Sequence, residues 1–300
     1  MRHYFCSHKR FIPLCTGALC FVLFFSTGIA VGKTVPLLIH QPEEYFPDQI
    51  GNEWRYKGRI LEGTVNQISD TMFENISKVT SMQKIGGVNV TVFHDTNPGD
   101  QGPTDSYYFR DAAGIRYYGS KPGTLLEKQL IPYQIVSFPL EIPSSFEQLN
   151  RENLNLGLDI DRDGQAEKVD VLATVTIHDQ SPVTVPLGTY EKAIRMEAQM
   201  KLLVHLSRDG MQVKGFDSMT VWFVKDIGLV KYTERQMVPN PSTGKDRMIE
   251  ITEELTEAKL QGGTRLLSGR KALNYSIFKN HPLYHKSLQA SFYADFDSSP

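Results

Sequence analysis

The chain has 300 residues, of which 40% are hydrophobic and 10% aromatic. That is ample apolar material for one large β domain or two small ones. Its 32 basic and 34 acidic residues form no basic cluster, which excludes the electrostatic footprint of a nucleic-acid binder.

The first thirty residues differ from the rest. Arg2, Lys9 and Arg10 supply positive charge, and no Asp or Glu precedes Glu43. An apolar run then extends over residues 11–31, and Gly28-Ile29-Ala30 places small residues where a signal peptidase reads. Residues 1–30 therefore read as a helical secretory signal cut after Ala30, which puts the mature chain in the periplasm or outside the cell. The competing reading is an uncleaved membrane anchor over residues 11–31, since about 20 apolar residues span a bilayer. In that case the anchor is the chain's sole membrane contact. Pro13 and the small-residue end favour cleavage. Cys6, Cys15 and Cys20 all fall in this segment, so a cleaved chain has no disulfide and no thiolate chemistry. Leu14 and Leu19 before the latter two argue against a lipidated cysteine. Without Arg2, Lys9 and Arg10 the basic count is 29 against 34 acids, a net charge of −5.

Residues 31–44 read as an extended lead-in, with Pro36 and Pro42 opposing helix. Residues 45–258 read as an antiparallel β domain. Its clearest strand covers 193–206. Ile194, Met196, Ala198, Met200, Leu202, Val204 and Leu206 fall on one face, and Arg195, Glu197, Gln199, Lys201 and His205 on the other. Helix propensity is high here, but a helix would scatter those apolar residues around its circumference. At about 3.3 Å per residue the strand is roughly 40 Å long, the length of a twisted member of a large sheet. Further strands are expected at 54–60, 76–85, 88–94, 106–110, 115–118, 134–140, 168–178, 213–224, 229–235 and 248–255. Short turns such as Gly86-Gly87 and Asp209-Gly210 separate many of them, which argues for an antiparallel meander. The fold class is thus mainly β: a large curved antiparallel sheet or half-barrel.

Tyr108-Phe109, Gly114-Ile115 and Tyr118 are spaced as Trp222-Phe223, Gly228-Leu229 and Tyr232 are. Either two similar hairpins coincide, or the domain has related halves at 45–142 and 143–258. After Lys259 the pattern weakens, and 259–300 reads as a partly disordered tail.

The sharpest chemical motif spans residues 159–170. Asp159, Asp161 and Asp163 occupy loop positions 1, 3 and 5, Gly164 position 6, Gln165 position 7, Glu167 position 9 and Asp170 position 12. Calcium takes six to eight hard oxygens, and alternating carboxylates in a tight loop supply them, with a backbone carbonyl at position 7. Position 12 is Asp where an EF-hand has Glu, and 168–178 reads as strand, so the loop sits between strands rather than helices. Calcium is the expected cofactor; the alternative is an acidic solvated turn. His281 and His285 are four apart with Pro282 between them, and read as tail histidines rather than metal ligands. Glu250, Glu253, Glu254 and Glu257 read as a solvated strand edge. There is no nucleophile elbow and no phosphate loop, so no catalytic residue is assigned.

Three segments together resemble a widespread group of uncharacterised exported bacterial proteins. These are Tyr45-Phe46-Pro47 with Gly51-Asn52-x-Trp54-x-Tyr56, then Val185-Pro186-Leu187-Gly188-Thr189-Tyr190, then Trp222-Phe223 with Gly228-Leu229. More distantly the pattern is similar to the curved half-barrels of lipoprotein-carrier type, in which a bent sheet shelters an apolar concavity. A second Gly-x-x-Trp is expected near 146–157, and this chain lacks it. The resemblance implies a fold; it does not settle function.

On the residues themselves, Trp54, Tyr56 and Trp222 are strand aromatics of the core or the concave face. With Met196 and Met200 they are the candidates to line a ligand cleft, since Met-walled apolar clefts suit lipids and peptides. The expected function is a non-enzymatic envelope protein that binds an apolar ligand, a lipidated partner or another envelope protein. The alternative is a hydrolase of envelope polymers, with carboxylates paired only in space.

Overall fold

The computed structural model describes residues 36–64, 67–97, 102–240, 245–261 and 266–268. The expected signal or anchor, most of the tail, and His281 and His285 lie outside the described residues. The strands are β1 (Leu37–Ile39), β2 (Glu53–Thr64), β3 (Gln67–Ile85), β4 (Val88–Asp95), β5 (Thr104–Asp111), β6 (Gly114–Lys121), β7 (Tyr133–Ser137) and β8 (Leu140–Ile142). They continue as β9 (Ser144–Asn155), β10 (Lys168–Ile177), β11 (Ser181–Val185), β12 (Gly188–His205), β13 (Gln212–Val224), β14 (Gly228–Val238), β15 (Arg247–Lys259) and β16 (Leu266–Ser268). A single α-helix, α1 (Leu125–Leu130), stands between β6 and β7 among the described residues.

Twelve strands form one antiparallel, nearly closed, barrel-like sheet in the order β7-β6-β5-β4-β3-β2-β15-β14-β13-β12-β10-β9. Strands β2 to β7 step outward from the centre, and β9 to β15 step back in. The two series meet in the middle, where β2 pairs with β15 from Glu53↔Lys259 to Gly63↔Met248.

Period-two patterning sets the faces. Along β12, Ile194, Met196, Ala198, Leu202 and Val204 are buried, whereas Arg195, Glu197, Gln199, Lys201 and His205 are not. Tertiary burial overrides the helix propensity of that stretch, as the alternation requires. Gly86 and Gly87, at φ +57° and +88°, supply the two left-handed residues that a tight turn between β3 and β4 demands.

The inner face holds two apolar clusters. In the larger, Phe46, Phe93, Tyr108 and Tyr117 stack in succession, with ring centroids 5.4–5.9 Å apart along the chain of contacts. The smaller gathers Leu126 and Leu130 of α1 with Leu149, Leu156, Ile160, Val169, Val171, Leu202 and Val204. A buried polar belt also crosses the inner face: Asp217, Gln236, Glu234, Tyr232, Glu253, Asn75 and Asp95. Asn75 Nδ2 donates to both Asp95 and Glu253, each at 3.3 Å, and its Oδ1 accepts from Thr96 and Asn97. This corrects the reading of the glutamates at 250–257. β15 is central, not an edge, and the period of two turns Glu253 inward to 2% exposure while Glu250 stays exposed.

The ends of the sheet, β7 and β9, face each other without a backbone ladder. Gln148 Nε2 donates across the gap to Gln134 O at 2.9 Å. Farther along, the side chain of Gln129 on α1 meets both backbone groups of Asn155: Nε2 donates to its carbonyl at 2.7 Å, and Oε1 accepts its N–H at 3.0 Å. One amide side chain thereby supplies what a neighbouring strand would. Helix α1 has the capping box of Thr124 and Glu127. No helix is expected here from sequence: the Thr124-x-x-Glu127 spacing is a signal that could have marked it, but six residues are too few for a readable period.

Candidate functional site

The acidic loop between β9 and β10 is folded back on itself. Leu156 N donates to Glu167 O, and Glu167 N to Leu158 O. Asp159 accepts from the N–H groups of Asp163 and Gly164, and Asp163 from that of Gln165. Glu167 is fully buried and accepts from Ile160 N, Asp161 N and Ser207 N. Ser207 and Arg208 belong to the turn between β12 and β13. Ser207 Oγ donates to Asp163 at 2.9 Å, Arg208 N donates to Asp161 at 3.0 Å, and the Arg208 guanidinium lies 3.6 Å from Asp161. The carboxylates thus tie one loop to another.

Carboxylate oxygens of Asp159, Asp161 and Glu167 lie within 4.8 Å of one another, and Asp163 adjoins them. Glu167 Oε1 accepts two N–H groups, but Glu167 Oε2 and both carboxylate oxygens of Asp159 accept one each, so the set can still offer hard oxygens to a divalent cation. Gln165, expected to act through its backbone carbonyl, is an exposed residue of the same loop. One predicted ligand stands elsewhere. Asp170 lies on β10, where it accepts from Asn153 N and pairs with His205 Nε2, each at 2.8 Å. The Asn153 N–H first, then His205, holds the Asp170 carboxyl below its usual range.

The cleft candidates separate. Trp54 and Tyr56 are closed into the core, where the indole N–H donates to Ile227 O at 3.3 Å and the phenol to Leu229 O at 3.0 Å. Burial pushes the Tyr56 phenol well above its usual value, and Glu253 and Asp95 add to that. Trp222 stands in register between Arg195 and Lys231 on the polar face, with the Lys231 ammonium 5.8 Å from its ring centre. Met200 packs against the smaller cluster. Met196 lines an apolar pocket of about 30 Å³ with Tyr45, Phe46, Phe138, Leu140 and Phe223 among its walls. Sequence reasoning missed Phe138 and Leu140, which are brought there by β7 and β8 rather than by any periodic strand of their own.

No family profile matches the chain, and no curated protein matches it. Two solved structures align with it. One is a protein of Bacteroides fragilis NCTC 9343 named as exported and of YmcC-like fold, with TM-score 0.30, 11% identity, and coverage of 71% of this chain and 98% of that one. The other is named as a lipoprotein of Parabacteroides distasonis ATCC 8503, with TM-score 0.30, 13% identity and the same coverage. Among the described residues, no helix is long and apolar enough to cross a membrane. So loose a superposition leaves function to be read from this chain's own geometry.

Proposed function

We propose that the chain is an exported, non-enzymatic protein of the cell envelope that takes an apolar group, an acyl chain of a lipid or of a lipidated partner, on the inner face of its sheet. The observation that carries this reading is the apolar pocket at Met196, walled by five separate stretches of the chain. The basic-then-apolar start of the sequence supports an extracytoplasmic setting. The carboxylates at Asp159, Asp161, Asp163 and Glu167 are proposed as a calcium site that stiffens the loop between β9 and β10. The hydrolase alternative draws no support from that loop, whose carboxylates hold the turn through backbone N–H groups rather than facing each other across a cleft.

At about 30 Å³ the pocket is far below the roughly 150 Å³ that receives a benzene. That observation favours a second reading, in which the protein recognises another envelope protein through its outer surface. Mass spectrometry of lipid extracted from the full chain, purified from a bacterial envelope, separates the two. Stoichiometric lipid that declines in Met196→Asp supports the first. A lipid-free protein that also fails to take up cis-parinaric acid would leave the second.

A further inference from the structure

Three features converge where α1 packs on the smaller apolar cluster, which shares no residue with the lining of the Met196 pocket. First, no ladder joins the edges β7 and β9: the Gln148 side chain ties β9 to β7, and the Gln129 side chain ties β9 to α1. A seam of that kind opens at less cost than a hydrogen-bonded pair of strands. Second, α1 stands at this seam and inserts Leu126 and Leu130, 3% exposed each, into the smaller apolar cluster. The walls they cover are the inner-face residues Leu149, Val169, Val171, Leu202 and Val204, with Met200 beside them. Third, the helix is six residues long and held by polar contacts at discrete points. Glu127 takes Tyr117 and Ser120 on one side, and Gln129 takes Asn155 on the other.

From this we infer that α1 is a displaceable plug. Its two leucines occupy the apolar site that an acyl chain takes when α1 and the β7–β9 seam part, and the ligand replaces them. The inference rests on the apolar-ligand reading above, and it adds room on the inner face beyond the small Met196 pocket, whose lining shares no residue with the cluster that α1 covers. An apolar cluster left by two withdrawn leucines stays dry and favours an apolar occupant. The chain between β7 and β9 runs through β8, so the seam hinges there and parts at the α1 end. The acidic loop adjoins the same plug. A Cβ at Gly157 would stand 3.1 Å from that of Leu125, and Leu156 and Ile160 share the cluster with Leu126 and Leu130.

The test uses the full chain with Cys6, Cys15 and Cys20 changed to serine, and cis-parinaric acid as the probe. Gln129→Ala removes the tie to Asn155 and raises the open fraction, so probe affinity should rise, by about tenfold if that fraction does. A Gln129→Cys, Asn155→Cys pair joined by a reducible cross-linker should lose binding and regain it on reduction. Equal binding by the linked and reduced forms would overturn the plug. If no form binds the probe, the apolar-ligand reading falls, and hydrogen exchange judges the plug separately. Amides of α1, β7 and β9 that exchange well before those of β2 and β15 uphold a displaceable α1; exchange in step with the whole sheet overturns it.

Discussion

Tyr117 donates its hydroxyl to Glu127 Oε1 at 2.6 Å, and both side chains are buried. The phenol of β6 thus anchors the carboxyl that caps α1. Burial first, and the neighbouring Glu127 charge second, push the Tyr117 phenol well above its usual value, so it stays a donor. Tyr117→Phe removes one donor from a buried carboxylate and should cost about 1–3 kcal/mol in urea unfolding. An unchanged midpoint would show that Ser120 and the Thr124 N–H suffice.

A close approach between β2 and β3 yields a second expectation. Phe73 lies over Gly58 in the next strand, and a Cβ at Gly58 would stand 2.2 Å from its ring. Gly58→Ala should destabilise by about 1–3 kcal/mol through overpacking. Adding Phe73→Leu should return part of that loss, so a double-mutant cycle must show coupling between the two sites. Strict additivity would place the strain elsewhere.

Calcium should raise the melting temperature if Asp159, Asp161 and Glu167 hold it. At ten times Kd the gain is about 1.4 kcal/mol, or about 3–6 °C for a domain of this size. Asp161→Asn should abolish the shift, and a chelator should reverse it in the unmodified chain. Identical melts of both proteins at several millimolar calcium would leave the loop as a hydrogen-bonded turn.

The Asp170 carboxyl gives a pH dependence. Its folded pKa is lowered by the Asn153 N–H and by His205, so the folded state binds this proton less tightly than the unfolded chain does. The contribution is therefore present above the unfolded value, near pH 3.9, and is lost as pH falls through the lower folded value. Asp170→Asn should flatten the acid limb of a plot of urea midpoint against pH below about 4. An acid limb unchanged by the substitution would move the effect to other carboxylates. Asp170 is about one-third exposed, so solvent screening keeps the effect small.

The strands with one apolar and one polar face were legible from sequence, as β12 and β10 show, because burial on one face writes a period of two. Strand β9 was not. Its run Ser144–Asn155 has Leu149 as its one fully buried apolar side chain, since β9 borders the seam. Asp159, Asp161 and Glu167 were brought together as their spacing predicts, while Asp170 was carried off by the start of β10. Trp222 is half-buried beside Arg195 and Lys231, a placement sequence does not give, because an aromatic pair on a strand puts one ring on each face without saying which. Glu253 was misjudged for the converse reason: nothing in a run of glutamates marks the one whose partner, Asn75, arrives from 178 residues away.

The pairing of β2 with β15 has a consequence for how the chain is made. Their residues stand about 200 positions apart, from Arg55↔Glu257 to Gly63↔Met248. A chain that emerges amino-terminus first must keep the bare edge of β2 unpaired until nearly all of the domain has appeared. Non-local pairing of this kind folds slowly and exposes a strand edge to wrong partners. Truncation before Arg247 removes the strand that binds the two series together, so shortened products of this chain should be held by chaperones or aggregate rather than fold into half a sheet.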